Sequence, residues 1–60
     1  MRKYVLKHKE NNVYLKYFYQ LGLKHYVPYI DEATRFDYAK AYDMKNKFKH
    51  KENWTIKRVL

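Results

Sequence analysis

Lys3-Tyr4-Val5-Leu6-Lys7-His8-Lys9-Glu10-Asn11-Asn12-Val13-Tyr14-Leu15-Lys16-Tyr17-Phe18-Tyr19 is the stretch on which the fold turns. From Lys3 to His8 the residues alternate, with Tyr4, Leu6 and His8 on one side of an extended chain and Val5 with its flanking lysines on the other. Lys9 to Asn12 is a polar cluster whose asparagines accept left-handed turn geometry. Val13 to Tyr19 then resumes a β-branched and aromatic run, so the whole reads as a β-hairpin. If Val13, Leu15 and Tyr17 face a core, the same alternation turns Tyr14, Lys16 and Phe18 to the opposite face.

Beyond the hairpin, Gln20 to Lys24 contains the chain's only glycine, Gly22, which bends the chain before a third extended segment, His25 to Ile30. Pro28 cannot donate to a ladder, so this segment is expected at a sheet edge or as an irregular stretch. Asp31-Glu32-Ala33 reads as a turn and Thr34-Arg35-Phe36 as a short return to extended geometry. Asp37 is a good N-cap for a helix from Tyr38 to about Lys49, because its carboxylate can accept free N–H groups of the first turn. Tyr38, Ala41, Met44 or Lys45, and Phe48 fall on one helical face, and Ala41 permits close approach to a sheet. Trp54 to Val59 reads as a closing strand that buries Trp54 and Ile56. The expected fold is α+β: a small antiparallel or mixed sheet, β-β-(β)-β-α-β, with one helix packed on one face.

Sixty residues make a single small domain, which buries only about 60% of its unfolded surface. With no cysteine there are no disulfides and no thiolate metal ligands, so stability rests on apolar packing, assisted in one reading by homodimerisation. A 47% hydrophobic and 20% aromatic content is too apolar for a disordered tail. Lysines and Glu10 interrupt each early apolar run, so neither a secretory signal nor a membrane span is expected, and a cytoplasmic location follows.

Fourteen Lys and Arg against six Asp and Glu give a net charge of +8. Such a field favours nucleic acid, anionic lipid or an acidic protein face. An AT-rich genome also supplies Lys, Asn and Tyr through its codons, and that reading stays open beside the functional one.

Catalytic equipment is sparse. The chain has no Ser or Cys and only two threonines, and nucleophilic catalysis needs such a side chain held against a base. Asp31, Glu32 and Asp37 read better as turn and cap residues than as metal ligands. His8, His25 and His50 lack the short paired spacing of metal sites. One glycine cannot build a phosphate-cradling loop. No enzyme activity, metal or cofactor is expected.

Two surfaces remain. Tyr14, Lys16 and Phe18 form an aromatic and basic set of the kind that stacks unpaired bases, though ordinary strands are aromatic-rich as well. Lys45, Lys47, Lys49 and Lys51, with His50, continue to Lys57 and Arg58; on a helix these lysines spread around the circumference and read first as a solubilising surface. Within the two surfaces, Tyr14, Lys16, Phe18, Lys47, Lys51 and Arg58 are the candidate contact residues.

Four segments together resemble short proteins encoded by phages and prophages of low-GC Gram-positive bacteria: Tyr4-Val5-Leu6-Lys7, Val13-Tyr14-Leu15-Lys16, Asp31-Glu32-Ala33-Thr34-Arg35-Phe36 and Trp54-Thr55-Ile56-Lys57-Arg58-Val59. The resemblance implies an accessory product acting in the cytoplasm of an infected bacterium, binding and blocking a host or defence protein as anti-CRISPR proteins do. Many such inhibitors of nucleases are acidic DNA mimics. The +8 charge departs from that pattern and favours a partner with an acidic face, with single-stranded nucleic acid as the alternative. No functional residue carries over from the resemblance.

Overall fold

The computed structural model describes residues 2–59. Strand β1 (Tyr4–His8) and β2 (Tyr14–Phe18) form the expected hairpin. Its turn is held by the His8 N–H donating to the Val13 carbonyl at 2.8 Å, and Asn12 takes the left-handed conformation at φ 56°. A second hairpin joins β2 to β3 (Leu23–Val27), with Gly22 at φ 64° closing the turn. Here Phe18 accepts from both Leu21 and Gly22. β3 thus starts two residues before the expected third segment and stops ahead of Pro28, because the turn at Gly22 releases the chain straight into pairing with β2.

Helix α1 (Tyr38–Asn46) begins on Asp37, whose Oδ1 accepts the Lys40 N–H at 2.8 Å. It ends three residues short of the expected Lys49. The reason is tertiary: Phe48 leaves the helical path to stack on Trp54, ring centroids 4.6 Å apart and 15° from parallel. A 3-10 turn, Lys51–Asn53, leads into β4 (Trp54–Arg58).

The four strands form one antiparallel sheet in the order β3-β2-β1-β4. β3 is an edge strand, in keeping with the proline that follows it. Thr34-Arg35-Phe36 does not become a strand of its own: Phe36 makes an isolated bridge to Tyr4, with reciprocal bonds of 2.9 and 2.7 Å. The Thr34 N–H donates to the Leu15 carbonyl at 3.1 Å, and Thr34 Oγ1 accepts the Tyr17 N–H at 2.7 Å. This segment therefore sits between β1 and β2 where the two strands diverge, and it satisfies backbone groups that the divergence would leave bare.

Leu6, Leu15, Phe36, Ala41, Met44 and Trp54 are buried together as the core, flanked by Tyr4, Tyr17, Phe48 and Ile56. Ala41 is fully buried where α1 crosses β1 and β4. Val5 and Ala33 are also buried but stand apart from this cluster. By alternation Val5 points away from the helix. The 3-10 turn (Ile30–Glu32) of the chain returning from β3 lies against β2. β1 is consequently packed on both faces, which its lysine-flanked Val5 did not announce. Among the described residues no helix is long and apolar enough to cross a membrane.

Candidate functional site

Strand pairing places the first candidate set. Lys7 faces Tyr14, Lys16 faces His25, and Phe18 faces Leu23, all on the side of the sheet away from α1. Lys57 joins them opposite Val5. Tyr14, Lys16 and Phe18 therefore share a face, as alternation required. Lys16 Nζ lies 5.5 Å from the Phe18 ring centroid, and His25 meets the same ring edge-on at 5.0 Å. Tyr14, Lys16 and Phe18 are all half-buried. The remaining candidates do not converge on them. Lys47 caps the C-terminus of α1, Lys51 begins the following 3-10 turn, and Arg58 lies opposite Tyr4, on the helix side at the other end of the sheet.

A cleft of about 480 Å³ opens on the helix side, within the size range of ligand pockets. It lies between the β1–β2 turn, Tyr26 of β3 and the segment that carries Phe48 to Trp54. Trp54 forms the floor, only 5% exposed. The Phe48 ring stacks on it, Tyr26 inclines 35° to it at 5.7 Å, and the His8 ring stands edge-on at 5.0 Å. His8 Nδ1 accepts the backbone N–H groups of Glu10 and Asn11 at 3.3 and 3.2 Å. Those bonds fix the orientation of the ring.

The rim of the cleft is basic. Lys49 and His50 line it, and Lys24 Nζ rests 4.6 Å from the Phe48 centroid. Among the described residues no carboxylate lines it; Glu52 pairs with His50 at 3.6 Å on an exposed flank. This cleft was not foreseen from the sequence. Trp54 and Phe48 were legible as core residues, but their stacking depends on the early end of α1, and Tyr26 enters only through the β2–β3 register.

A third feature is the β2–β3 arm. Tyr19, Leu21, Leu23, Tyr26 and Tyr29 are large apolar residues between 48% and 70% exposed. At its tip a depression of about 340 Å³ is lined by residues from Tyr17 to Leu21. Removal from water holds the Tyr19 phenol above the usual tyrosine range, against the pull of Arg2 and with lesser help from Tyr17 and Asp37. Among the described residues no group of three or more His, Cys, Asp or Glu side chains comes together to hold a metal. Comparison with protein-family models, curated proteins and solved structures finds no match in any of the three.

Proposed function

We propose that the protein is a non-enzymatic binding module that occludes an acidic surface of another protein, with the β2–β3 arm as its contact element. The observation that carries the reading is that five of the seven exposed large apolar residues among those described, Tyr19, Leu21, Leu23, Tyr26 and Tyr29, lie on or just beyond one edge hairpin, on both of its faces, the other two being Tyr38 and Tyr42 of α1. Exposed apolar residues gathered in this way mark interaction surfaces, whereas singly scattered ones do not. Tyrosine is suited to such contacts, since it brings large area and a hydrogen-bonding tip at small entropic cost. The +8 charge supplies steering toward an acidic face. The sequence resemblance to phage accessory proteins supports an occluding role in the cytoplasm of an infected bacterium. The reading as a non-enzyme is supported by the absence of Ser and Cys from the chain and by the engagement of Thr34 Oγ1 with the Tyr17 backbone.

Affinity capture from a bacterial lysate, followed by reconstitution with the purified captured protein, tests this reading. The expected result is a complex that tolerates 200 mM salt and weakens at least about tenfold in the Leu21→Ser/Leu23→Ser double variant, since buried apolar anchors carry most of such an interface. A captured species that nuclease removes, or binding indifferent to the double variant, overturns it. Sedimentation showing a self-dimer that the variant dissociates would instead assign the arm to homodimerisation.

A further inference from the structure

We propose that the aromatic cleft between Tyr26, Phe48 and Trp54 binds a nucleoside phosphate, with the base against the aromatic rings and the phosphate on the Lys49–His50 rim. The chemistry of the lining selects this class. Tyr26 is 55% exposed, so a planar ring entering the cleft meets its aromatic surface; Phe48, stacked on Trp54 and carrying the Lys24 ammonium 4.6 Å from its centroid, lines the cleft beside it. Both rings rest against Trp54, which His8, oriented by the β1–β2 turn, meets edge-on. Base–aromatic stacking is favourable and tolerant of base identity, because every base has a π-face.

Charge narrows the ligand further. A cationic guest of the kind aromatic cages hold would face Lys49 and the Lys24 ammonium already resting on Phe48. Like charge disfavours it, whereas an anionic group finds Lys49 and the exposed His50 on the rim, with the Lys24 ammonium on the neighbouring Phe48 ring and, among the described residues, no lining carboxylate to repel it. A planar ring that carries an anion satisfies both halves of the site.

The same chemistry arises from a free mononucleotide or from an unpaired base in single-stranded nucleic acid, and the test separates them. Trp54 is the only tryptophan in the chain, so its fluorescence reports on the cleft floor directly. The full chain is titrated with adenosine, adenosine monophosphate, uridine monophosphate and a short single-stranded oligonucleotide at about 50 and 200 mM salt. Saturable quenching by the monophosphates, at least about fivefold weaker with adenosine, is the expected result. Tyr26→Ala and Lys49→Glu each weaken binding about tenfold or more, while Lys16→Ala and Phe18→Ala on the far face leave it unchanged. Both cleft positions are exposed, and unchanged far-ultraviolet circular dichroism verifies that the variants fold. Oligonucleotide binding that exceeds mononucleotide binding and falls steeply with salt assigns the site to single strands; equal affinities with little salt dependence assign it to the free nucleotide. A silent Trp54, or a response that survives both cleft substitutions, overturns the proposal. The Leu21→Ser/Leu23→Ser variant retains nucleotide binding, so the arm and the cleft can fail independently.

Discussion

Thr34 occupies a place that an apolar residue of the same shape cannot serve. Its hydroxyl accepts the Tyr17 N–H at 2.7 Å and donates to the Tyr17 carbonyl at 3.3 Å, while its own N–H bonds to Leu15. Valine keeps the volume and the β-branch but leaves the Tyr17 N–H without its partner in a half-buried position. Thr34→Val is therefore expected to cost about 1–3 kcal/mol, read as a lower urea midpoint at unchanged slope, and Thr34→Ser to recover most of it. A Thr34→Val midpoint equal to that of the parent protein would mean that water replaces the hydroxyl. Sequence alone identified Thr34 as extended but not as a hydrogen-bonding wedge, because the partner lies 17 residues away.

At the level of elements, α1 has nine residues, and isolated helices shorter than about 12–15 residues are marginal in water. Its cap and its buried stripe, Ala41 and Met44, must therefore hold it. Asp37→Ala is expected to lower stability by about 0.5–2 kcal/mol, with Asp37→Asn close to neutral, measured by thermal unfolding followed at 222 nm. An unchanged transition in Asp37→Ala would shift the whole burden to packing. The hairpin, the cap, the helix start and the facing of Tyr14, Lys16 and Phe18 were all legible beforehand, since each is written in two-residue alternation or in a local motif. The end of α1, the burial of Val5 and the aromatic cleft were not. Each of those depends on where a loop returns across the sheet, and nothing local in Val27–Ala33 or Phe48–Asn53 records that destination.

For the molecule as a whole the margin is narrow. Roughly 0.05–0.15 kcal/mol per residue gives about 3–9 kcal/mol for a chain this long, and the radius of gyration, 10.3 Å, is already that of a fully collapsed chain of this size. Both faces of β1 contribute. Val5→Ala removes two methyl groups at ~0.8 kcal/mol each and leaves a cavity, so a loss of about 2 kcal/mol is expected. A loss below about 0.5 kcal/mol in urea titration would mean that the structure collapses around the smaller side chain. That same central strand has β4 as one of its two neighbours along its full length, from Tyr4 opposite Arg58 to His8 opposite Trp54. The Val59 N–H bonds to the Lys3 carbonyl beyond it. During synthesis the first strand to emerge has to wait for the last. Until Trp54–Arg58 leaves the ribosome, one edge of β1 is unpaired, and Trp54, which floors the cleft, is missing. The β1–β2–β3 meander can pair as it emerges, but the aromatic cleft comes into being only when β4 closes the sheet.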